Sequence, residues 1–326
     1  MKRSKQDIVN ILREQKYSIT QFSLRLEGKY TIDDASWNYR DAIAHLSLIH
    51  PQVKNIPIVV DDGKLASIFL QRIFGIRFPI GVVDYETSPY TQTTFFAWGF
   101  FVIVVENECY SIPPDHAGVK TDYHICSPKL FRVLHPLIRW VLKRNYQLLM
   151  SQDVPMRERR GALREWGYRF KSENENRSYL KALNIGLDLV EPPSVLSDPI
   201  QFSVDLERDL KSGSVVFLGR DDHRGIQIRR DGDVLSVFHR MCPHQGASLD
   251  DAQQSSGQLK CSWHGRKIKP IAVLNLSDEK LSPSRQQGLS FEIEGTMLRI
   301  SQCDGDKSRS LQPPCLWPPS VRPLEA

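Results

Sequence analysis

Cys242-Pro243-His244 is followed, after sixteen residues, by Cys261-Ser262-Trp263-His264. Two thiolates and two imidazoles at this spacing constrain the fold more than any other feature of the chain. Each Cys travels with its own His, which suits two short loops that each give one sulfur and one nitrogen to a shared centre. Zinc takes the same four donors, but zinc-finger spacing groups Cys with Cys and His with His. A two-iron centre with thiolates on one iron and imidazoles on the other needs this set, and such a centre moves single electrons. Gly246 and Gly265 follow the two pairs, where a tight loop must bring backbone N–H groups close to sulfur.

Residues 205–302 resemble the Rieske domains of bacterial oxygenases and their ferredoxins, through Cys-Pro-His-x-Gly-Ala-x-Leu and Cys-x-Trp-His-Gly. The resemblance implies a [2Fe-2S] cluster on Cys242, His244, Cys261 and His264. Respiratory Rieske proteins carry an extra Cys in each loop, joined as a disulfide. The equivalent places here hold Ala247 and Trp263, which favours the oxygenase and ferredoxin branch. Arg266 and Lys267 stand where oxygenase Rieske domains usually have an aromatic residue, a change that bears on the docking surface for a donor or neighbouring domain.

A chain of 326 residues suggests two domains. A net charge of +5 is too weak to argue nucleic-acid binding, and no nucleic-acid-binding pattern is visible. Met1 to Asp7 lacks an apolar core and does not read as a signal peptide. The longest apolar run, Phe95 to Val105, is too short to span a bilayer and reads as one buried strand. Of six Cys, Cys109, Cys126, Cys303 and Cys315 show no paired framework, which points to a reducing compartment, the cytoplasm.

Glu191-Pro192-Pro193-Ser194 marks a boundary. The expected organisation is a first domain over 1–190, a linker over 191–212, a small antiparallel β domain over 213–303 and a Pro-rich tail over 304–326. Short β patterns at Ser214–Gly219, Gly225–Arg229, Val234–His239, Leu289–Ile293 and Met297–Ile300 build the β domain, with hairpin turns at Asp231-Gly232 and Glu294-Gly295. The first domain reads as α+β. A helix opens it, Tyr17–Ile32 is strand-like and Trp37–His50 is helical. Strands follow around Ile56–Val60, Leu65–Phe74, Ile80–Tyr85, Thr93–Glu106 and Glu108–Ile112. Ser127-Pro128 reads as the N-cap and first residue of a long helix, with Leu130, Val133, Leu134, Leu137, Ile138, Val141 and Leu142 at helical spacing. One antiparallel sheet gripping one long helix resembles the START-like helix-grip fold, the fold of Rieske oxygenase catalytic domains. That resemblance implies an apolar cavity between sheet and helix. Phe95, Trp98 and Phe101 are candidates to line it, though core packing explains them equally well.

Rieske oxygenases carry Asn … Asp-x2-His-x4-His on an early helix. Here Asn38 precedes Asp41, His45 and His50, in the form Asp-x3-His-x4-His, one residue longer between Asp and His. Residues four or five apart on a helix are offset by roughly 40–140°. A local distortion after His45 therefore has to turn both imidazoles to one metal. Asp41 lies one turn before His45, within reach of its ring. A facial triad also needs a carboxylate, and Asp153 is the candidate. Pro155 follows it and denies the Ser151 carbonyl a partner, so a break or kink is expected there, or else Asp153 caps a new helix. Asp115-His116 and Asp122-Tyr123-His124 form a competing cluster, expected in a loop after Pro113-Pro114. His135 reads as core or cap. Arg157, Arg159, Arg160 and Arg164, interleaved with Glu158 and Glu165, read most simply as a solvated face, with a docking patch for an acidic ferredoxin as the alternative.

Taken with the resemblance, these residues imply a Rieske-type non-haem iron oxygenase with the usual domain order reversed. A [2Fe-2S] cluster and a mononuclear Fe(II) on His45, His50 and Asp153 are its implied cofactors. Its implied partners are an external NAD(P)H-linked ferredoxin or reductase, O2 and a small, largely apolar organic substrate, with no nucleic acid and no membrane span. In the family's homotrimers an Asp bridges one subunit's cluster to the next subunit's iron, and Asp41 corresponds to it. The other reading is a Rieske electron-transfer protein whose START-like domain binds a ligand and holds no mononuclear iron. A redox sensor is a third, with no feature beyond the cluster to favour it.

Overall fold

The computed structural model describes residues 4–61, 64–73, 75–171, 188–193, 200–277, 284–286, 289–302 and 320–323. They divide into two units, Met1–Leu189 and Val190–Ala326.

Among its described residues, the first unit holds a seven-stranded antiparallel sheet and three α-helices. Helix α1 is Lys5–Glu14, and strand β1 is Ser18–Gly28. Helix α2, Ile32–Ile49, starts at a capping box in which Thr31 and Asp34 satisfy each other's backbone donors. Then come β2 (Val53–Asp61), β3 (Lys64–Ile73), β4 (Ile76–Ser88), β5 (Thr91–Trp98), β6 (Phe101–Ile112) and β7 (His116–Ser127). The last six strands form a meander, and β1 closes the sheet beside β7, giving the order β1-β7-β6-β5-β4-β3-β2. Helix α3, His135–Glu165, follows. This is the α+β helix-grip architecture the pattern predicts.

Several local expectations change. The apolar run Phe95–Val105 is two strands, because Gly99 at φ 55° turns the chain between β5 and β6. Residues 108–112 continue β6, and the Asp115–His124 segment is almost entirely strand β7 rather than loop. Ser127-Pro128 does not open α3. Pro128 precedes a 3-10 turn over Lys129–Leu134, while the Ser127 hydroxyl lies 2.8 Å from His135 Nε2. Helix α3 runs unbroken through Pro155, so Asp153 caps nothing. The arginine face is also corrected. Tyr146, Met150, Asp153, Arg157 and Arg160 recur at helical spacing and share one buried face, and both arginines are fully buried.

That face packs on α2 through polar pairs. Arg160 and Arg164 reach Asp34, and Arg157 donates to Asn38 Oδ1 from Nε at 3.2 Å and from Nη2 at 2.7 Å. As α2 advances, its partners on α3 recede, so the two helices are antiparallel. Gly161 lets α3 close on the chain just ahead of α2. A Cβ there would meet the Lys29 carbonyl oxygen at 2.5 Å.

Between sheet and α3 lies a cavity of about 400 Å³. Strand alternation decides what lines it. On β5 the even positions Gln92, Thr94, Phe96 and Trp98 face in, and on β4 Phe78, Ile80, Val82 and Asp84 do. Trp98 is therefore a lining residue. Phe95 lies on the other face, stacked on Tyr85 at 5.7 Å, and Phe101 belongs to the core around Ile125 and Ile138.

The second unit is built of short antiparallel strands joined by turns and loops. Five strands order as Ala272–Asn275, Val234–His239, Ile226–Asp231, Ser214–Leu218 and Ser320–Pro323. Four more order as Gln201–Asp205, Met297–Gln302, Leu289–Glu294 and Ser284–Gln286. Gly232 and Gly295 take positive φ in the two hairpin turns. Two boundaries differ from the sequence reading. Gln201–Asp205 pairs with Met297–Gln302, and Leu206 and Leu210 join the core, so this part of the expected linker belongs to the β unit. Ser320–Pro323 pairs with Ser214–Phe217, so the Pro-rich tail contributes a strand. Its remaining residues, with Cys303 and Cys315, lie outside the described residues.

Candidate metal centres

In the second unit the two ligand loops are built alike. Cys242 N–H donates to Ala247 O and Gly246 N–H to Cys242 O, while Cys261 N–H donates to Arg266 O and Gly265 N–H to Cys261 O. Each loop turns on its glycine, Gly246 at φ 84° and Gly265 at φ 69°, where a Cβ is disfavoured. All four donors are buried. The imidazoles approach through their Nδ1 atoms, 3.2 Å apart. The Cys242 thiol, hydrogen-bonded to Cys261, holds the Cys261 thiol below its ordinary value. Two sulfurs and two Nδ1 atoms closing on one space suit a two-iron centre with mixed ligands.

In the first unit His45, His50 and Asp153 come together, with ligand atoms all within 4.8 Å of one another. The distortion the spacing demands is the end of α2. His50 is its C-cap, and at φ −105°, ψ 90° it leaves the helix in extended conformation, which turns its ring towards α3. His50 Nε2 then lies 3.0 Å and His45 Nε2 3.7 Å from Asp153 Oδ1.

The rings are oriented from behind. His45 Nδ1 is 3.0 Å from Asp41 Oδ2, and a carboxylate only accepts, so this nitrogen carries the proton. His50 Nδ1 is 2.5 Å from Gln152 Oε1, to which Gln52 Nε2 also donates at 3.2 Å; an amide oxygen only accepts, so this nitrogen too carries the proton. Both rings thus present Nε2 lone pairs towards Asp153. His50 Nε2 and Asp153 Oδ1 are buried, and neither makes an aligned hydrogen bond. Three buried lone-pair donors facing one point fit a divalent cation with nitrogen and oxygen preference, and iron(II) is such an ion.

Electrostatics favour the anionic carboxylate. Burial pushes the Asp153 carboxyl up, but His50, His45 and Arg157 outweigh it and hold it below the usual carboxylate range. Burial also pulls His50 down, and Asp153 beside it more than compensates. Asn38 and Arg157 complete the surroundings. The helical phase of Arg157, four residues after Asp153, is the sequence signal that places it beside the carboxylate.

The competing cluster does not converge. Asp115 and His116 pair with each other at 2.8 Å at the surface. Burial pushes the Asp122 carboxyl up, but hydrogen bonds from Ser23, Lys120 and Lys5 hold it at about 2. His135 sits between Thr20 and Ser127, as a core residue.

Residues 201–274 match the family model of the Rieske [2Fe-2S] domain. The C-terminal part of the chain thus carries a Rieske [2Fe-2S] domain. No curated protein matches the chain. Among solved structures, the di-domain aromatase/cyclase BexL of the BE-7585A biosynthetic pathway is similar at 11% identity and a TM-score of 0.36, over 41% of this chain and 48% of that one. This chain thus spans about half the length of BexL. The Zhui aromatase/cyclase from Streptomyces sp. R1128 is similar at 9% identity and 0.39, over 44% and 96%. Truncated norcoclaurine synthase from Thalictrum flavum is similar at 14% and 0.31, over 37% and 84%. No helix among the described residues is long and apolar enough to cross a membrane.

Proposed function

We propose that this chain is a Rieske-type non-haem iron oxygenase. It takes electrons from an external NAD(P)H-linked ferredoxin or reductase and, with O2, hydroxylates or otherwise oxidises a small, largely apolar organic molecule. Cys242, His244, Cys261 and His264 would hold the [2Fe-2S] cluster, and His45, His50 and Asp153 a mononuclear Fe(II). When bound, the cluster supplies single electrons and the Fe(II) supplies a site for dioxygen with open positions. Asp41 and Gln152 hold the two imidazoles in one tautomer each. Arg157 keeps positive charge beside Asp153. The cavity walls exclude water from an apolar ligand and present it to the face bearing His45 and Asp153, which both line the cavity.

The observation that carries this reading is the convergence of two Nε2 lone pairs and Asp153 Oδ1 at the cavity wall. The second reading is an electron-transfer protein with a ligand-binding first domain and no mononuclear iron. It is favoured by the 3.0 Å approach of His50 to Asp153, which a protonated His50 would satisfy as an ion pair.

Iron and acid-labile sulfide per chain separate the two, on protein purified anaerobically and resupplied with Fe(II). The oxygenase reading expects about three irons per two sulfides. It also expects His45→Ala and Asp153→Ala to lose the third iron while keeping the cluster's visible absorption. A wild-type chain that retains only the cluster iron would falsify it.

A further inference from the structure

We propose that the mouth of the cavity is a docking surface for an anionic lipid bilayer, from which the cavity takes its apolar ligand. Three segments meet there: the β3–β4 hairpin, the β5–β6 turn and the stretch from Lys129 into α3. Phe100 stacks on Phe131 at 4.4 Å, and Phe78 meets Trp98 at 5.8 Å, which ties them together. Ile76, Trp98 and Leu137 all line the one cavity.

The rim is apolar and open. Leu130 is 81% exposed and Val133 78%, and Ile76, Phe100, Leu137 and Trp140 are exposed beside them. An exposed apolar patch of this kind marks an interaction surface. Charge indicates its partner. Residues 69–80, 95–104 and 127–152 contain seven basic residues, Arg72, Arg77, Lys129, Arg132, Arg139, Lys143 and Arg144, and no Asp or Glu. None of the seven pairs with a carboxylate among the described residues. Exposed apolar side chains, a Trp and Lys and Arg in the same segments are the composition that inserts at an anionic interface. A symmetric pairing of two copies would instead set basic residues against basic residues. The cavity supplies the reason for docking. It opens at this rim, its walls are apolar, and a ligand that suits them is concentrated in lipid rather than in water.

The test is co-sedimentation of the full chain with vesicles of phosphatidylcholine alone, and of phosphatidylcholine with phosphatidylserine. The chain is expected to pellet with the anionic vesicles and to be released by salt. Leu130→Ser with Val133→Ser should weaken partitioning by about tenfold or more, since both apolar side chains insert. Lys129→Glu with Arg132→Glu, a second variant at exposed positions, should also abolish the preference for anionic vesicles. No pelleting of the wild type overturns the proposal, as does equal pelleting with both vesicles or wild-type binding by the two variants. So does an oligomer in lipid-free solution that the Leu130→Ser, Val133→Ser change converts to a monomer, which would make the rim a subunit interface.

Discussion

His50 illustrates how much one backbone conformation decides. Had α2 continued through it, its ring would lie well over 100° around the helix from His45, away from Asp153. As a C-cap in extended conformation it turns back to the same point. What then makes the site specific is the atom behind each ring. Asp41 and Gln152 each fix a tautomer, so their loss costs ring orientation and basicity without removing a donor. Asp41→Ala and Gln152→Ala are each expected to weaken Fe(II) retention by about 10–100-fold, measured by anaerobic Fe(II) titration, with the cluster absorption unchanged. Retention equal to the wild type would mean that neither residue orients a ligand.

At the scale of elements, the site exists because α2 and α3 are held antiparallel by buried polar pairs. Asp34 at the start of α2 anchors the far end. Burial pushes its carboxyl up, but Arg160 and Arg164 outweigh this and hold it below the usual carboxylate range. A carboxyl lowered on folding stabilises the protein at pH values above its unfolded pKa, about 4. That contribution disappears as pH falls through the lower folded value. Urea midpoints should therefore drop between neutral pH and about pH 3 in the wild type, and drop less steeply in Asp34→Asn. At neutral pH, Asp34→Ala should cost about 3–5 kcal/mol, because it leaves Arg160 charged and buried. A variant with the wild-type midpoint and slope would show that the Asp34 pairs do not hold the helices.

The whole molecule joins two units with separate cores, one beside an apolar cavity and one among the strands of the β unit that carries the paired Cys-His loops. Two-state unfolding is not expected of such a chain. Calorimetry should show two transitions. Stripping the cluster should lower the transition of the β unit, because metal binding there is coupled to folding, and should leave the other in place. A single transition that moves as one when the cluster is removed would mean the units do not unfold independently.

The sequence by itself determined the Rieske domain. The four candidate cluster ligands are readable because each loop is local, with Cys, His and Gly within a few residues of one another. The strand and helix periods of the first unit are readable for the same reason, as are Asp41 one turn before His45 and the two His candidates. Tertiary structure decided what depends on distant partners. Asp153 meets His50 across roughly a hundred residues, and Gln152, Asn38 and Arg157 become neighbours of the site only when α3 lies on α2. The arginine run looked solvated by composition, yet two of its members are buried, because helical phase turns them towards α2, where Arg160 meets the Asp34 carboxylate and Arg157 the Asn38 amide oxygen. The apolar run over Phe95–Val105 could not reveal its turn or its parity. Whether Phe95 or Phe96 faces the cavity depends on the register with β4 and β6, and a strand's register is set by its neighbours rather than by its own residues.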